Sequence, residues 1–258
     1  MYPIRSTSLA TLVLVALLLV PAAIRAAEQP ETSRIQLTTH VGTIEIELNP
    51  AAAPDAVERL LTLARNAPAT SFALEDAKPY SLVASSPIEA LEGTAIEIDA
   101  TRLGLDRDRI ANLGEAMDVV QFEVMPIHQR DKQRPPTPTF GEWIATWRDG
   151  RDPSFLVGVS RQELYEGFGY VYRTGLDSQP VHRGAVLLRP ATPETASPRL
   201  IFSVADRPTK TGRWMVIGHV TRGLELLDRL SIAPLDDASA KSGRMADPVV
   251  IESIEIAR

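Results

Sequence analysis

The chain has 258 residues, a formal net charge of −6 and no cysteine. Having no cysteine excludes disulfides, thiol catalysis, zinc–thiolate sites and a lipidated N-terminal cysteine, while the acidic balance argues against nucleic acid and anionic membrane surfaces as partners. A hydrophobic content of 44% and a charged content of 23% suit a globular protein with its own core, in one large or two small domains.

Residues 1–27 read as a secretory signal peptide. Arg5 precedes an apolar run from Leu9 to Val20, Pro21 follows, and small residues for cleavage lie near Ala26/Ala27. The run is short for a bilayer span, and the alternative is an uncleaved anchor. Removing residues 1–26 takes away Arg5 and Arg25 and no acid, so 25 basic residues against 33 acidic ones leave a mature charge of −8. A periplasmic or secreted protein is expected, with no membrane span after cleavage. Residues 28–33 follow as a polar linker.

Ile35, Leu37 and Thr39 alternate along one run, and Ile44, Ile46 and Leu48 alternate with Glu45 and Glu47 along the next, with Gly42 between them. Period-2 patterning predicts two half-buried strands joined by a turn. The period then changes to that of a helix. Pro54 suits a first helical position, and Val57, Leu60, Leu61 and Ala64 fall on one face. Asn66 to Pro79 reads as a connection, and Tyr80–Ala84 and Ala95–Ile98 as strands. Asp106–Val120 reads as a helix with Ile110, Leu113 and Met117 in register. The prolines at 135, 136 and 138 predict an extended stretch over 130–140, either a solvated loop or a proline-rich ligand. Trp143 and Trp147, four residues apart, predict an amphipathic helix packed on the body. Leu224, Leu227 and Leu230 mark a last helix.

Two of these stretches resemble the cyclophilins, the family of peptidyl-prolyl cis–trans isomerases. VGTIEIELNPAAAPDAVERLLTLAR, from Val41 to Arg65, is similar to their opening strand and helix. GFGYVYRTG, from Gly167, resembles their G-x-G-Y-T-I stretch. The run from His182 to Leu230 resembles their long signature and aligns without a gap from Gly184 to Val220. Gly184, Ala191, Pro193, Thr195, Pro208, Gly212, Val216, Gly218, Val220 and Gly223 match the family residue, and PVVIESIEIAR resembles its closing strand. The resemblance implies a mainly β fold: a closed antiparallel β-barrel capped by two helices, one cyclophilin-like domain over 34–258. It leaves about 94–166 as an inserted α/loop segment whose deletion would leave a folded barrel.

It also implies an activity and a groove for a proline-containing peptide or exported protein, with no cofactor. The family donates a hydrogen bond from an arginine in F-H-R-V and seats the proline ring in a pocket of apolar residues. Here YSLVASSPIEA takes that place, so Leu82 stands at the arginine, and Pro87, Ile88 and Ala90 at Phe, Met and Gln. Further on, Arg189 and Pro190 replace Ala-Asn, Arg199 replaces the glutamine of S-Q-F-F, and Leu200 and Ile201 its phenylalanines. Thr209 and Lys210 stand at Trp-Leu, and Trp214 at the histidine. No catalytic residue of the family is retained; Arg199 or Arg189 is either a surface charge or a relocated donor. The expected function is an isomerase homologue acting on exported proteins, weak or inactive. The alternatives are a non-catalytic peptide-binding module on the same fold and, third, a structural envelope protein. His40, His128, His182 and His219 show no metal-ligand spacing, no metal site is expected, and Asp99, Asp106 and Asp108 read as helix-start and surface acids.

Overall fold

The computed structural model describes residues 33–67, 72–130, 136–192, 194–236 and 243–257. The strands are Ser33–Thr39 (β1), Gly42–Leu48 (β2), Phe72–Lys78 (β3), Leu82–Ser85 (β4), Ala185–Leu188 (β5), Ile201–Ser203 (β6), Met215–Arg222 (β7) and Arg244–Ala257 (β8). They close into an antiparallel barrel in the order β1-β2-β7-β5-β6-β4-β3-β8. The helices are Pro54–Asn66 (α1), Leu113–Val119 (α2), Met125–Arg130 (α3), Pro138–Gly150 (α4), Arg161–Gly167 (α5) and Leu224–Ser231 (α6). The expected signal peptide and linker lie outside the described residues, except Ser33, which opens β1; Pro193 also lies outside them. No helix among the described residues is long and apolar enough to cross a membrane.

The barrel follows from alternation. Ile35, Leu37, Ile44, Ile46 and Leu48 point into one core with Leu74, Val83, Val186, Phe202, Ile217 and Ile254. The two helices that cap the barrel add apolar stripes to that core: Ala56, Val57, Leu60, Leu61 and Ala64 from α1, and Leu226, Leu227 and Leu230 from α6. Both stretches that carry the resemblance share this sheet, because β2 pairs with β7 and β1 with β8. β7 approaches β2 closely enough that a Cβ at Gly218 would lie 2.4 Å from the Glu47 carbonyl oxygen. Gly223, at φ 90°, turns β7 into α6 in a conformation that a side chain disfavours.

The insertion has a core of its own, running from Ala100 and Leu105 to Tyr165 and Phe168 and including Phe140, Trp143 and Ile144. Its boundary differs from the expected one. Ile96 and Ile98 belong to the barrel core, and Glu97, 2% exposed, serves α1. The Ala53 N-cap of α1 offers no side-chain acceptor, so the Glu97 carboxylate accepts from the backbone N–H of Asp55 and Ala56 at 3.1 and 3.2 Å. Arg173 lies 3.7 Å from the same carboxylate. Glu97→Gln is expected to lower stability by about 1–2 kcal/mol, measured by urea unfolding; an unchanged midpoint would mean that water caps α1 equally well.

Several local readings need correction. The expected connection from Asn66 to Pro79 contains β3. Ala95–Ile98 is no strand: only Ala95 makes a ladder bridge, to Thr195. The helix expected from Asp106 begins at Leu113, with the Asn112 side chain accepting from the Glu115 N–H, and it continues through a π turn over Val120–Val124 into α3. Ile110 is buried outside it, and Leu113 is exposed. In the proline stretch, residues 131–135 lie outside the described ones, while Pro138 starts α4 under a Thr137 cap. Trp143 and Trp147 pack α4 against the insertion core as expected. Asp99 is a buried loop tie, not a helix-start or surface acid. Burial pushes its carboxyl up, but backbone donors, Arg102 and Gly175 foremost, outweigh this and hold it below the ordinary range.

Candidate functional site

Alternation along β4, β5 and β6 that fills the barrel on one side sets a second, smaller cluster of buried apolar residues on the other. Val83, Val186 and Phe202 point inward; Leu82, Ala84, Leu187 and Ile201 point outward, joined by Ala185, Val181 and Val216. Ala84 pairs with Ile201 across the β4–β6 ladder, which sets these two side chains next to each other on the outer face. Over them opens a hollow of about 220 Å³. Leu82, Ala84 and Ile201 form its floor, Asp76, Ala77 and Lys78 come from β3, and Arg189, Arg199 and Trp214 stand around it. That volume is below the ~300–1,000 Å³ of typical small-molecule sites; it suits one apolar side chain of a longer chain.

The polar groups at this hollow are unevenly matched. The Arg199 guanidinium is held by Asp76 at 2.5 Å and by Glu75 at 2.7 Å, and Arg244 approaches Glu75 at 3.8 Å. Arg199 is thus a satisfied ion pair, two carboxylates on one guanidinium. Trp214 carries cations on its ring: Lys210 Nζ lies 5.5 Å and the Arg207 guanidinium 5.8 Å from the centroid. Arg207 also donates to the Ser81 hydroxyl. Burial pushes the Lys210 ammonium below its ordinary pKa, and Arg213 and Arg207 act in the same direction.

The insertion holds the loop that carries Trp214. Arg213 pairs with Glu123 of the π turn at 3.0 Å and lies over the rings of Tyr165 and Tyr170, at 5.5 and 5.9 Å. The Tyr172 hydroxyl donates to the Gly212 carbonyl at 2.9 Å. Burial, with Glu123 nearby, pushes the Tyr165 phenol up to about 12.

Of the residues expected at the groove, Leu82, Arg189, Arg199, Ile201 and Trp214 line one hollow, and Lys210 reaches it through Trp214. The others lie elsewhere. Pro87, Ile88 and Ala90 line a separate hollow of about 630 Å³ beside Leu63 and Ala67 of the α1 end. Leu200 is fully buried and belongs to the barrel core, because Leu200 and Phe202 share the inward face that Ile201 opposes. Pro190 bridges to Ala196, and Thr209 is exposed. Asp76 and Lys78 line the hollow although they fall in the expected connection. A β-bulge between Leu74 and Asp76 breaks the alternation that would have marked their strand. Among the described residues no group of three or more His, Asp or Glu side chains is placed to hold a metal ion.

No family model and no curated protein matches the chain. It is similar to the crystal structure of a Cryptosporidium parvum cyclophilin type peptidyl-prolyl cis–trans isomerase in the presence of the dipeptide Ala-Pro. The identity is 13% and the TM-score 0.46, over 87% of this chain and 99% of that one. A second crystal structure of that isomerase gives 13% and 0.47, over 88% and 98%.

Proposed function

We propose that this chain is a divergent, exported homologue of the cyclophilin-type peptidyl-prolyl isomerases, one that holds a polypeptide segment at its outer-face hollow and turns over proline bonds weakly or not at all. Support for the lineage comes from the chain's own residues: the two stretches that resemble the family are strands and helices of a single closed barrel. The loss of turnover rests on one observation. The hollow's floor is Leu82, Ala84 and Ile201, none with a proton to donate, and of the two guanidiniums that line it Arg199 is engaged by Asp76 and Glu75 while Arg189 is exposed to water.

The chemistry explains why this matters. Rotation about an Xaa-Pro bond crosses a barrier of ~20 kcal/mol set by amide resonance. A catalyst lowers it by favouring the twisted amide, whose pyramidal nitrogen accepts a hydrogen bond. Leu82 has no proton to donate. Arg199 does, but reaching a bound amide requires it to leave two carboxylates. Losing a preorganised donor costs a factor of about 10²–10³ in rate. The hollow still offers apolar burial, which binds ground and transition states alike.

A coupled proline-peptide assay tests this reading. Turnover is expected to be at least about 100-fold below that of an isomerase with its donor in place, and Leu82→Arg alone is expected not to restore it, because Ile201 and Trp214 also reshape the pocket. Restoration by that single change would contradict the proposal. The second reading, a relocated donor, is favoured by Arg199 and Arg189 both lining the hollow; its mark is turnover at ordinary isomerase rates that disappears in Arg199→Ala or in Arg189→Ala. The export part of the proposal rests on residues 1–27, and a full-length chain retained unprocessed in the cytoplasm would refute it.

A further inference from the structure

We infer that the segment held at the outer-face hollow carries an acidic side chain beside its apolar anchor, so that this face selects acidic polypeptide partners. The inference rests on the peptide-binding reading above and adds the chemistry of the partner.

Over the whole chain, 33 acidic residues outnumber 27 basic ones. At the hollow the balance reverses. Its one lining carboxylate, Asp76, and the neighbouring Glu75 are matched by Arg199 and Arg244. Lys78, Arg189, Arg207 and Lys210 have no carboxylate partner among the described residues. Two of these, Lys78 and Arg189, stand at the hollow itself, and the other two flank its Trp214 wall. Four cations without a carboxylate partner lie at or beside one hollow with an aliphatic floor; burial is the first cause that lowers the Lys210 pKa, and Arg213, Arg207 and Lys78 add to it while Glu123 opposes it. A carboxylate arriving among them is attracted, while the rest of an acidic surface repels it. Complementarity of this kind steers and selects partners more than it adds raw affinity.

The floor argues for a polypeptide over a nucleic acid. Single strands are held along extended basic grooves with several aromatic platforms. Here Lys78 and Arg189 line one hollow with the aliphatic floor of Leu82, Ala84 and Ile201, and Arg207 and Lys210 lie at its single aromatic ring, Trp214. An apolar side chain or proline ring on that floor, with a Glu or Asp one or two residues away, satisfies both parts of the site.

The test uses blocked heptapeptides with a central proline flanked on both sides by glutamate, glutamine or lysine, titrated into the full chain. The readout is the Trp214 indole N–H signal, assigned through Trp214→Phe. The glutamate peptide is expected to bind about five- to tenfold more tightly than the glutamine peptide, the lysine peptide more weakly than either, with the advantage shrinking in high salt. Lys78→Gln with Arg189→Gln is expected to bring the glutamate-to-glutamine ratio close to one; both side chains are exposed, and a melting curve checks that the variant is folded. Equal binding of the glutamate and glutamine peptides, or a ratio that survives the two substitutions, overturns acidic selection and leaves the peptide site standing. A mixed-sequence oligonucleotide that displaces the glutamate peptide more effectively than the glutamine peptide does also overturns it, since the cations would then serve phosphate. No Trp214 response to any peptide removes the peptide site and this inference together.

Discussion

Replacing residues 100–171 by a two-glycine link is expected to leave a folded barrel, whereas deleting residues 94–166 is expected to leave none. The two cuts share residues 100–166; the second also removes 94–99, while the first also removes 167–171, which belong to the insertion and its edge. The insertion core, from Ala100 to Phe168, lies wholly inside the first deletion. The ends of that cut are already neighbours, because the Arg173 N–H donates to the Ile98 carbonyl at 2.8 Å. The second deletion removes Ile96 and Ile98 from the barrel core and Glu97 from the start of α1. Burying two isoleucines contributes about 3–6 kcal/mol, and the Glu97 cap adds about 1–2 kcal/mol. A domain's whole margin is about 5–15 kcal/mol, so these losses consume a margin in the lower half of that range, and the Asp99 ties to Ser178 and Gly175 go with them. Circular dichroism and urea unfolding of the two chains decide the matter. A folded chain lacking 94–166 would mean that the cap and the two isoleucines are dispensable; an unfolded chain lacking 100–171 would mean that the insertion core is integral to the barrel.

That boundary shows where the sequence is legible and where it is not. β1, β2 and α1 can be read because one rule governs each: period 2, then period 3.6 with a proline at its start. α6 follows from the same helical spacing. Ile96 and Ile98 alternate as a strand would, yet the N–H of Glu97 donates to the Met215 sulfur and that of Asp99 to the Ser178 hydroxyl. Side chains far along the chain thus take the donors of a ladder, and no pattern within four residues foretells this. The bulge in β3 hides Asp76 and Lys78 for a related reason, since alternation is the only local sign of a strand and one extra residue cancels it. The π turn over Val120–Val124 does the same to a helix, shifting the buried face to Ala116, Val119, Val120 and Val124. At the site, the aligned run from Gly184 to Val220 brings Arg189, Arg199, Ile201 and Trp214 to one hollow with Leu82. The register beyond Ser85 does not hold, because the chain leaves the sheet there for a turn of 3₁₀ helix, Glu89–Leu91, and takes Pro87, Ile88 and Ala90 to another hollow.

Arg213→Leu is expected to cost about 3 kcal/mol and to loosen the wall of the hollow from a distance. Arg213 is 23% exposed and its partner Glu123 is 22% exposed, so the pair is largely shielded from water. Removing the cation leaves the Glu123 carboxylate near Tyr165 without its ion-pair partner, and breaking such a pair from one side costs more than the pair contributes. The two ring contacts go as well, each about 0.5–1 kcal/mol or more. Because Trp214 is the next residue, the loss reaches the ring that Lys210 and Arg207 flank. Glu123→Gln should lose less, since the guanidinium keeps both tyrosine rings. Urea unfolding of the two single variants and the double variant gives the coupling energy, expected to exceed 1 kcal/mol for groups in direct contact. The Trp214 indole signal should broaden or shift in Arg213→Leu. A variant within about 0.5 kcal/mol of the parent, with Trp214 unmoved, would show that the loop holds itself through its own bonds, Lys210 to Arg207 and Trp214 to Lys210. The insertion would then be a neighbour of the site and not its support.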